Sequence, residues 1–254
     1  MTLQDFFLKY PKTAIAFSGG ADSAFLLYAA RKYAKEVKAY YVKSAFQPEF
    51  ELEDALRLSR ELGVEMKILR LDVLAVPCVS ENPPDRCYHC KKVIFGAITE
   101  AAAADGFTVL LDGTNASDDA NDRPGMLALK ELSVLSPLRE CGLSKLQVRM
   151  LSKEAGLFTW DKPAYACLAT RIPAGEEITE QKLSAVEAAE NYLFSLGFTD
   201  FRVRSQGGHA RLQIPEEQTE LLWRHRKDIL NRLKENYKTV SLDLEARGGT
   251  EKLI

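Results

Sequence analysis

The stretch Ile15-Ala16-Phe17-Ser18-Gly19-Gly20-Ala21-Asp22-Ser23 decides the fold. An apolar run ends at Phe17, a glycine-containing turn follows, and apolar residues then recur at helical spacing from Phe25 to Tyr33. This order predicts a buried parallel strand, a tight turn, and a helix whose N-terminus opens at the carboxyl end of the strand. Such a turn binds anions, because free backbone N–H groups and the helix dipole both point at it.

The residues of this turn suit a nucleotide phosphate. Gly19 and Gly20 let the backbone approach a phosphate closely, and Ser18 and Ser23 add hydroxyl donors. Asp22 would repel a phosphate unless a cation lay between them, so we predict that it contacts Mg²⁺. The order Ser-Gly-Gly-x-Asp-Ser is that of the pyrophosphate loop (PP-loop) of enzymes that split ATP into AMP and pyrophosphate. The structural alternative is a simple helix cap formed by Ser18 or Asp22.

Composition limits the class of protein. The 254 residues include 34 Lys and Arg against 36 Asp and Glu, which argues against a protein built mainly to bind nucleic acid. The sequence shows neither a secretory leader nor an apolar run of membrane-spanning length, so we expect a cytoplasmic protein without a membrane partner. Five cysteines are an odd number, which favours free thiols or metal ligands over a disulfide framework.

Strand and helix patterns alternate through the first two thirds of the chain. Predicted strands at 37–42, 65–71 and 109–111 are separated by predicted helices, which indicates an α/β fold with a Rossmann-like doubly wound parallel sheet. Ligands bind at the carboxyl ends of such strands. We therefore predict that Ser44, which follows the second strand, touches adenosine; the structural alternative is a serine that simply ends the strand.

The chain changes character after Gly175, so we predict two domains: residues 1–175 bind ATP, and residues 176–254 form a small α+β domain for substrate binding or oligomerisation. The order helix, strand, strand, helix, strand predicts an antiparallel sheet. Arg202 and Arg204 are two apart on one strand and should point the same way, opposite His209 and Arg211 of the next. This basic face would be open and suited to a phosphate or carboxylate, or else an ordinary solvated surface.

Three cysteines lie in chemically suggestive places. Cys87 and Cys90 are three residues apart where a helix opens, so they share one face. Their spacing fits a redox pair, half of a zinc site, or two ligands of an iron–sulfur cluster. Cys167 lies in an irregular segment with Arg171 four residues later, and a nearby guanidinium favours the nucleophilic thiolate. The alternative for Cys167 is a small buried hydrophobic residue.

Four motifs taken together resemble the LarE family. They are Ser18–Ser23, Asn82–Lys91, Asp112-Gly113-Thr114-Asn115 with Arg123-Pro124-Gly125, and Cys167–Pro173. Their order and spacing cover nearly the whole chain. The resemblance implies a PP-loop ATPase fold, similar to the adenine nucleotide alpha hydrolases.

The resemblance also implies a reaction. Members of the family are ATP-dependent sulfur transferases that adenylate a carboxylate of pyridinium-3,5-biscarboxylic acid mononucleotide and convert it to a thiocarboxylate, in the synthesis of the nickel-pincer nucleotide of lactate racemase. Carried over, Gly113 and Thr114 would border adenosine, and Cys167 would supply sulfur. The PP-loop residues would hold ATP and Mg²⁺: Ser18, Gly19, Gly20, Asp22 and Ser23. The candidates for the substrate's phosphate and carboxylates are Lys91, Arg171, Arg202 and Arg204.

The family has two versions of sulfur supply. In one, a single cysteine gives up its own sulfur and the protein works once. In the other, three cysteines hold a [4Fe–4S] cluster that carries an extra sulfide, and Cys87, Cys90 and Cys167 resemble this version. We expect a small-molecule nucleotide substrate and a homo-oligomer.

Functions of other classes remain open at this point. A tRNA thiolase can share the loop and the cysteine pair, but the acidic pI and the lack of a recognisable RNA-binding module argue against it. An amide-forming ligase with this loop would need none of the thiols. A regulatory module would bind ATP without releasing pyrophosphate, and Asp22 and Cys167 would then be dispensable.

Overall fold

The computed structural model describes residues 1–118 and 124–247. Contacts divide the chain into two compact units. The first comprises Met1–Val73 and Asp85–Lys162, and the second comprises Leu74–Pro84 and Pro163–Ile254. Within the described ranges, the structure contains no helix whose length and apolar character would let it cross a membrane.

The secondary structure follows the predicted alternation. The helices are α1 (Leu3–Lys9), α2 (Ala21–Tyr33), α3 (Glu49–Leu62), α4 (Pro77–Ser80), α5 (Arg86–Ala104), α6 (Pro124–Glu131), α7 (Pro137–Glu140), α8 (Lys145–Glu154), α9 (Glu180–Ser195) and α10 (Thr219–Leu233), with short 3-10 helices at Leu168–Arg171 and Glu216–Gln218. The strands are β1 (Lys12–Ala16), β2 (Glu36–Lys43), β3 (Met66–Arg70), β4 (Leu110–Leu111), β5 (Arg202–Gln206), β6 (His209–Gln213) and β7 (Thr239–Leu242).

The first unit is built on a four-stranded parallel sheet in the order β3-β2-β1-β4. Successive side chains of a strand point to opposite faces, and both faces of this sheet are covered. Ile15 and Tyr41 pack into a core with residues of α1, α2, α3 and α8. Their neighbours Ala14 and Tyr40 pack on the other face with residues of α5 and α6. The predicted doubly wound α/β fold is therefore confirmed.

The second unit contains a three-stranded sheet in the order β5-β6-β7. Strands β5 and β6 form an antiparallel hairpin, and Gly207 and Gly208 make its turn with φ values of 56° and 81°, which glycine adopts without strain. Strand β7, however, pairs with β6 in parallel. The expectation of an all-antiparallel sheet is wrong, because α10 carries the chain back along the sheet between β6 and β7.

A buried ion pair organises the second unit. The Arg171 Nε donates to Glu190 Oε1 at 2.9 Å, and both side chains are 1% exposed. Glu190 Oε1 also accepts the backbone N–H of Val203 at 2.9 Å, and the Tyr165 hydroxyl donates to the same carboxylate. These bonds tie residues 165–171 to α9 and β5.

Residues 74–84, which precede α5 in the chain, also belong to the second unit. The side-chain amide of Asn82 donates to the carbonyls of Pro173 at 2.7 Å and Glu176 at 3.0 Å. Sequence placed a boundary near residue 175, whereas the contacts group residues 74–84 and 163–175 with the second unit. The distribution of ATP and substrate binding between domains stays a prediction.

We predict that Glu190→Gln lowers the free energy of unfolding by about 3–5 kcal/mol, because it leaves the buried Arg171 guanidinium without its counter-ion. Urea unfolding followed by circular dichroism measures the change. Arg232→Gln, which breaks an exposed ion pair with Glu235 in the same unit, is the matched control and should cost no more than about 1 kcal/mol. Equal effects of the two variants would contradict the prediction.

Candidate functional site

The PP-loop forms a compact turn between β1 and α2. The Ser23 hydroxyl donates to the carbonyl of Gly20 at 3.1 Å and lies 3.1 Å from the hydroxyl of Ser18. Gly20 is the N-cap residue that directly precedes α2, and in the described structure this helix has no side-chain cap. The cap alternative is therefore not observed, and the first turn of α2 keeps the arrangement that suits an anion.

Two glycines allow neighbouring segments to approach the loop. Gly19 has a φ of +77°, and a Cβ on it would lie 2.9 Å from the carbonyl oxygen of Glu51 in α3. A Cβ on Gly113, which follows β4, would lie 2.8 Å from the backbone nitrogen of Ser23. The chain after β4 thus lies directly against the first turn of α2, as expected for adjacent parallel strands whose carboxyl ends share one edge.

Asp22 lies in the first turn of α2, half-buried, and accepts a hydrogen bond from the Asn115 amide at 3.2 Å. Burial raises the pKa of its carboxyl, Lys145 opposes this rise, and the nearby carboxylate of Asp118 adds to it. A divalent cation would offset the cost of holding a charged carboxylate here. The oxygen donors of Asp22 and its neighbours suit Mg²⁺, which prefers hard oxygen ligands.

The hydroxyls of Ser44 and Thr114 are engaged locally. Ser44 Oγ donates to Gln47 Oε1 at 2.7 Å and accepts the Phe46 backbone N–H at 3.2 Å. Thr114 Oγ1 donates to the carboxylate of Asp112. Both residues follow strands at the same edge of the sheet as the PP-loop, and their contact with adenosine stays a prediction.

The cysteine pair and Cys167 belong to different units. Cys87 is exposed and Cys90 is half-buried, both lie at the N-terminal end of α5, and neither forms a disulfide. The guanidinium of Arg86 donates to the Cys87 sulfur at 3.5 Å. Cys167 is a half-buried cysteine just before a 3-10 helix of the second unit, and it forms no disulfide. Among the residues described, no three His, Cys, Asp or Glu side chains are grouped closely enough to hold a metal ion.

Lys91 lies against α6. A Cβ on Gly125 would lie 2.9 Å from Cδ of Lys91, so this glycine makes room for the lysine side chain. The contact joins two of the motifs seen in the sequence. Arg123, which precedes Pro124 and Gly125 in its motif, lies outside the described residues.

The prediction of an open basic face is wrong for Arg202, which is only 5% exposed. Its guanidinium donates to the carbonyls of Phe201, at 2.6 Å, and of Ala164. Burial, with repulsion from Arg171 and Arg247, lowers the pKa of Arg202 to about 10. The reason for the difference is that the strand face carrying Arg202 is covered by the chain at residue 164.

The segment that contains Cys167 is held by Arg171, Arg202 and Arg204. Arg171 donates to the carbonyl of Ala166 at 2.9 Å, and Arg204 donates to the carbonyl of Thr170 at 2.5 Å. Together with the bond from Arg202, these contacts fix the backbone on both sides of Cys167. Arg204 is half-buried, whereas Arg171 is almost fully buried with its donors engaged by protein acceptors.

Sequence reasoning missed Lys162. Its ammonium lies 2.7 Å from Asp54 Oδ2 and 3.4 Å from the carbonyl oxygen of Gly19 in the PP-loop. A single lysine in a polar turn belongs to none of the four motifs. The only sequence signal was a cation next to Pro163, which is too common to single out a residue.

We predict that Gly113→Ala lowers the free energy of unfolding by about 1–3 kcal/mol, because the new methyl group meets backbone atoms of α2 that cannot move aside freely. Gly96→Ala is the matched control. It lies within α5 with nothing within 4 Å of its added Cβ, and it should stabilise by about 0.5–1 kcal/mol. Thermal and urea unfolding of both variants give the comparison, and a neutral Gly113→Ala would disprove the close approach.

Comparison with known proteins agrees with this geometry. The sequence profile of the family described as "Queuosine biosynthesis protein QueC" matches residues 12–80, which contain the PP-loop. Pyridinium-3,5-bisthiocarboxylic acid mononucleotide synthase of Lactiplantibacillus plantarum is 35% identical over 207 residues, or 81% of this chain and 75% of that protein. The protein slr1717 of Synechocystis, described as uncharacterized, is 40% identical over 218 residues, or 85% of this chain and 81% of that protein.

A more distant similarity links the chain to a second sulfur-inserting enzyme. The tRNA-specific 2-thiouridylase MnmA of Thermotoga is 27% identical over 189 residues, which cover 58% of this chain and 52% of that protein. The identity and coverage shared with the bisthiocarboxylic acid mononucleotide synthase, LarE, are sufficient to assign the family. The chain belongs to the LarE family and is a sulfurtransferase of the PP-loop, ATP-using class.

Proposed function

We propose that the chain uses ATP to adenylate a carboxylate of pyridinium-3,5-biscarboxylic acid mononucleotide and then replaces an oxygen of that carboxylate with sulfur. The observation that carries the proposal is a PP-loop that includes Asp22 and opens into the uncapped helix α2, in a chain 35% identical to a synthase of the bisthiocarboxylic acid mononucleotide. A thiocarboxylate product requires a carboxylate precursor and a way to remove oxygen. Adenylation supplies that way, because AMP is a good leaving group.

The PP-loop is the proposed site of the first step. The backbone N–H groups of the loop and of the first turn of α2 hold the phosphates, with Ser18 and Ser23 adding hydroxyl donors. Asp22 would hold Mg²⁺, which would supply positive charge to offset that of the phosphates. The substrate carboxylate attacks the α-phosphorus, and pyrophosphate leaves. Gly113 and Thr114, with Ser44, border the adenosine.

Cations orient the substrate in this proposal. Lys91 and Arg204 present their charged groups to the phosphate and carboxylates of the mononucleotide. Arg171 and Arg202 act through the backbone of residues 164–170, to which both donate hydrogen bonds. The support for this division is the burial of Arg171 and Arg202 against the partial exposure of Arg204.

Cys167 is the proposed point of sulfur delivery. Cys87 and Cys90 would join it in holding a [4Fe–4S] cluster. None of the three forms a disulfide, two of them lie at the N-terminal end of α5, and thiolates are the ligands that such a cluster takes. When bound, the cluster would supply an iron that accepts sulfide. The competing source within the same family is the Cys167 sulfur itself.

The proposal is tested by incubating anaerobically purified protein with the biscarboxylic acid mononucleotide, ATP and Mg²⁺. AMP, pyrophosphate and a thiocarboxylate detected by mass spectrometry are the expected products. ATP binding without AMP formation in the presence of substrate would indicate the regulatory module instead. Thiolation of tRNA without conversion of the mononucleotide would indicate a tRNA thiolase.

We predict that Asp22→Asn reduces substrate-dependent pyrophosphate release by roughly a hundredfold or more, because Mg²⁺ loses its charged ligand. The variant keeps the size of the side chain, so circular dichroism should be unchanged. Asp228→Asn, an exposed carboxylate of α10, is the control and should release pyrophosphate at the normal rate. Normal release by Asp22→Asn would remove Asp22 from the mechanism.

We predict that Cys87→Ala, Cys90→Ala and Cys167→Ala each abolish repeated sulfur transfer, because two thiolates hold a cubane poorly. Cys141→Ala, which removes another half-buried free thiol, should retain it. Iron and sulfide content and the number of thiocarboxylates made per chain are measured together. Activity of iron-free Cys87→Ala protein, with one sulfur transferred per chain and Cys167 left as dehydroalanine because its sulfur has passed to the product, would instead establish the single-use mechanism.

A further inference from the structure

Lys162 brings a positive charge to the PP-loop. Its ammonium lies 2.7 Å from Asp54 Oδ2 on α3 and 3.4 Å from the carbonyl oxygen of Gly19, and its side chain is 15% exposed. Gly19 is the loop residue with positive φ, and it also lies against the carbonyl of Glu51. The lysine, the start of α3 and the loop therefore meet at one place within the first unit.

Hydrogen bonds hold the backbone at Lys162 and so restrict where its ammonium group can lie. Arg149 of α8 donates to the carbonyls of Trp160 at 3.0 Å and Lys162 at 2.6 Å. The N–H of Lys162 donates to the carbonyl of Thr159 at 3.2 Å, and Thr159 is buried. One arginine thus holds both ends of a tight turn that aims the lysine at the loop.

The charges around the loop favour a polyanion. Asp54 balances the Lys162 ammonium, and a phosphate placed at the loop would compete with Asp54 for it. A lysine ammonium is a compact point charge with three donors, which suits phosphate oxygens without demanding one fixed geometry. Asp54 has a side chain that is 31% exposed, so its carboxylate can be solvated when the lysine turns to another anion.

We propose that Lys162 contacts the pyrophosphate portion of ATP and that Asp54 competes with the phosphates for its ammonium. This inference rests on the proposed binding of ATP at the PP-loop, and it adds a residue outside the four motifs. Lys162 would strengthen the binding of ATP and of released pyrophosphate. It would leave the binding of AMP unchanged, because AMP lacks the β- and γ-phosphates.

The two residues of the pair have opposite expected effects. Lys162→Gln removes the cation and should lower the affinity for ATP and for pyrophosphate about ten- to a hundredfold, because one charge-assisted contact is lost. Asp54→Asn removes the anion that competes for the lysine and should raise the affinity for pyrophosphate by about two- to tenfold. A purely structural ion pair would give losses of the same sign from both variants.

Isothermal titration calorimetry with ATP, inorganic pyrophosphate and AMP, each with Mg²⁺, tests the inference on the full chain. Lys162→Arg keeps the charge and should lose less affinity for pyrophosphate than Lys162→Gln. Lys9→Gln, which changes an exposed lysine of α1, is the control. The inference is overturned if Lys162→Gln binds pyrophosphate with normal affinity or loses as much affinity for AMP as for pyrophosphate. It is also overturned if Asp54→Asn lowers the affinity for pyrophosphate. If the unaltered protein binds neither ATP nor pyrophosphate, the proposed nucleotide site fails with it.

Discussion

The close approach of the chain after β4 to the first turn of α2 is the constraint on which the site depends. A side chain on Gly113 would meet the backbone nitrogen of Ser23 at 2.8 Å, so only glycine permits the approach. It places the motif that starts at Asp112 beside the PP-loop, and the Asn115 amide then reaches Asp22 at 3.2 Å. A nucleotide-binding edge formed by two adjacent strands follows from this contact and from the sheet order that makes β1 and β4 neighbours.

The second unit uses its charges in a different way. The Arg171–Glu190 pair is buried, and such pairs contribute more to specifying one arrangement than to net stability. Here the pair helps to hold the backbone around Cys167 in place. The carbonyl of Ala166 accepts a hydrogen bond from Arg171, and the carbonyl of Thr170 accepts one from Arg204. In the proposed mechanism this order matters, because a thiol must be held steadily to deliver sulfur to an activated carboxylate.

Local signals in the sequence predicted much of the fold and part of the site. The helix expected to open at Cys87 and Cys90 is α5, which begins at Arg86, and the PP-loop lies between strand and helix as expected. Interactions between distant residues were not predictable in the same way. The direction of β7 depends on the path of α10, the burial of Arg202 depends on the chain at residue 164, and Lys162 reaches Gly19 from 143 positions away. Periodicity within a short window carries none of this information.

The central claim is that the PP-loop activates the substrate by forming a carboxyl adenylate. The most direct measurement supplies pyridinium-3,5-biscarboxylic acid mononucleotide with heavy oxygen in its carboxylates and follows the label by mass spectrometry after a single turnover. The account predicts one heavy oxygen in the phosphate of AMP, because the carboxylate oxygen that attacks the α-phosphorus leaves with it. Heavy oxygen in inorganic phosphate together with ADP, or AMP free of label beside a thiocarboxylate product, would contradict it.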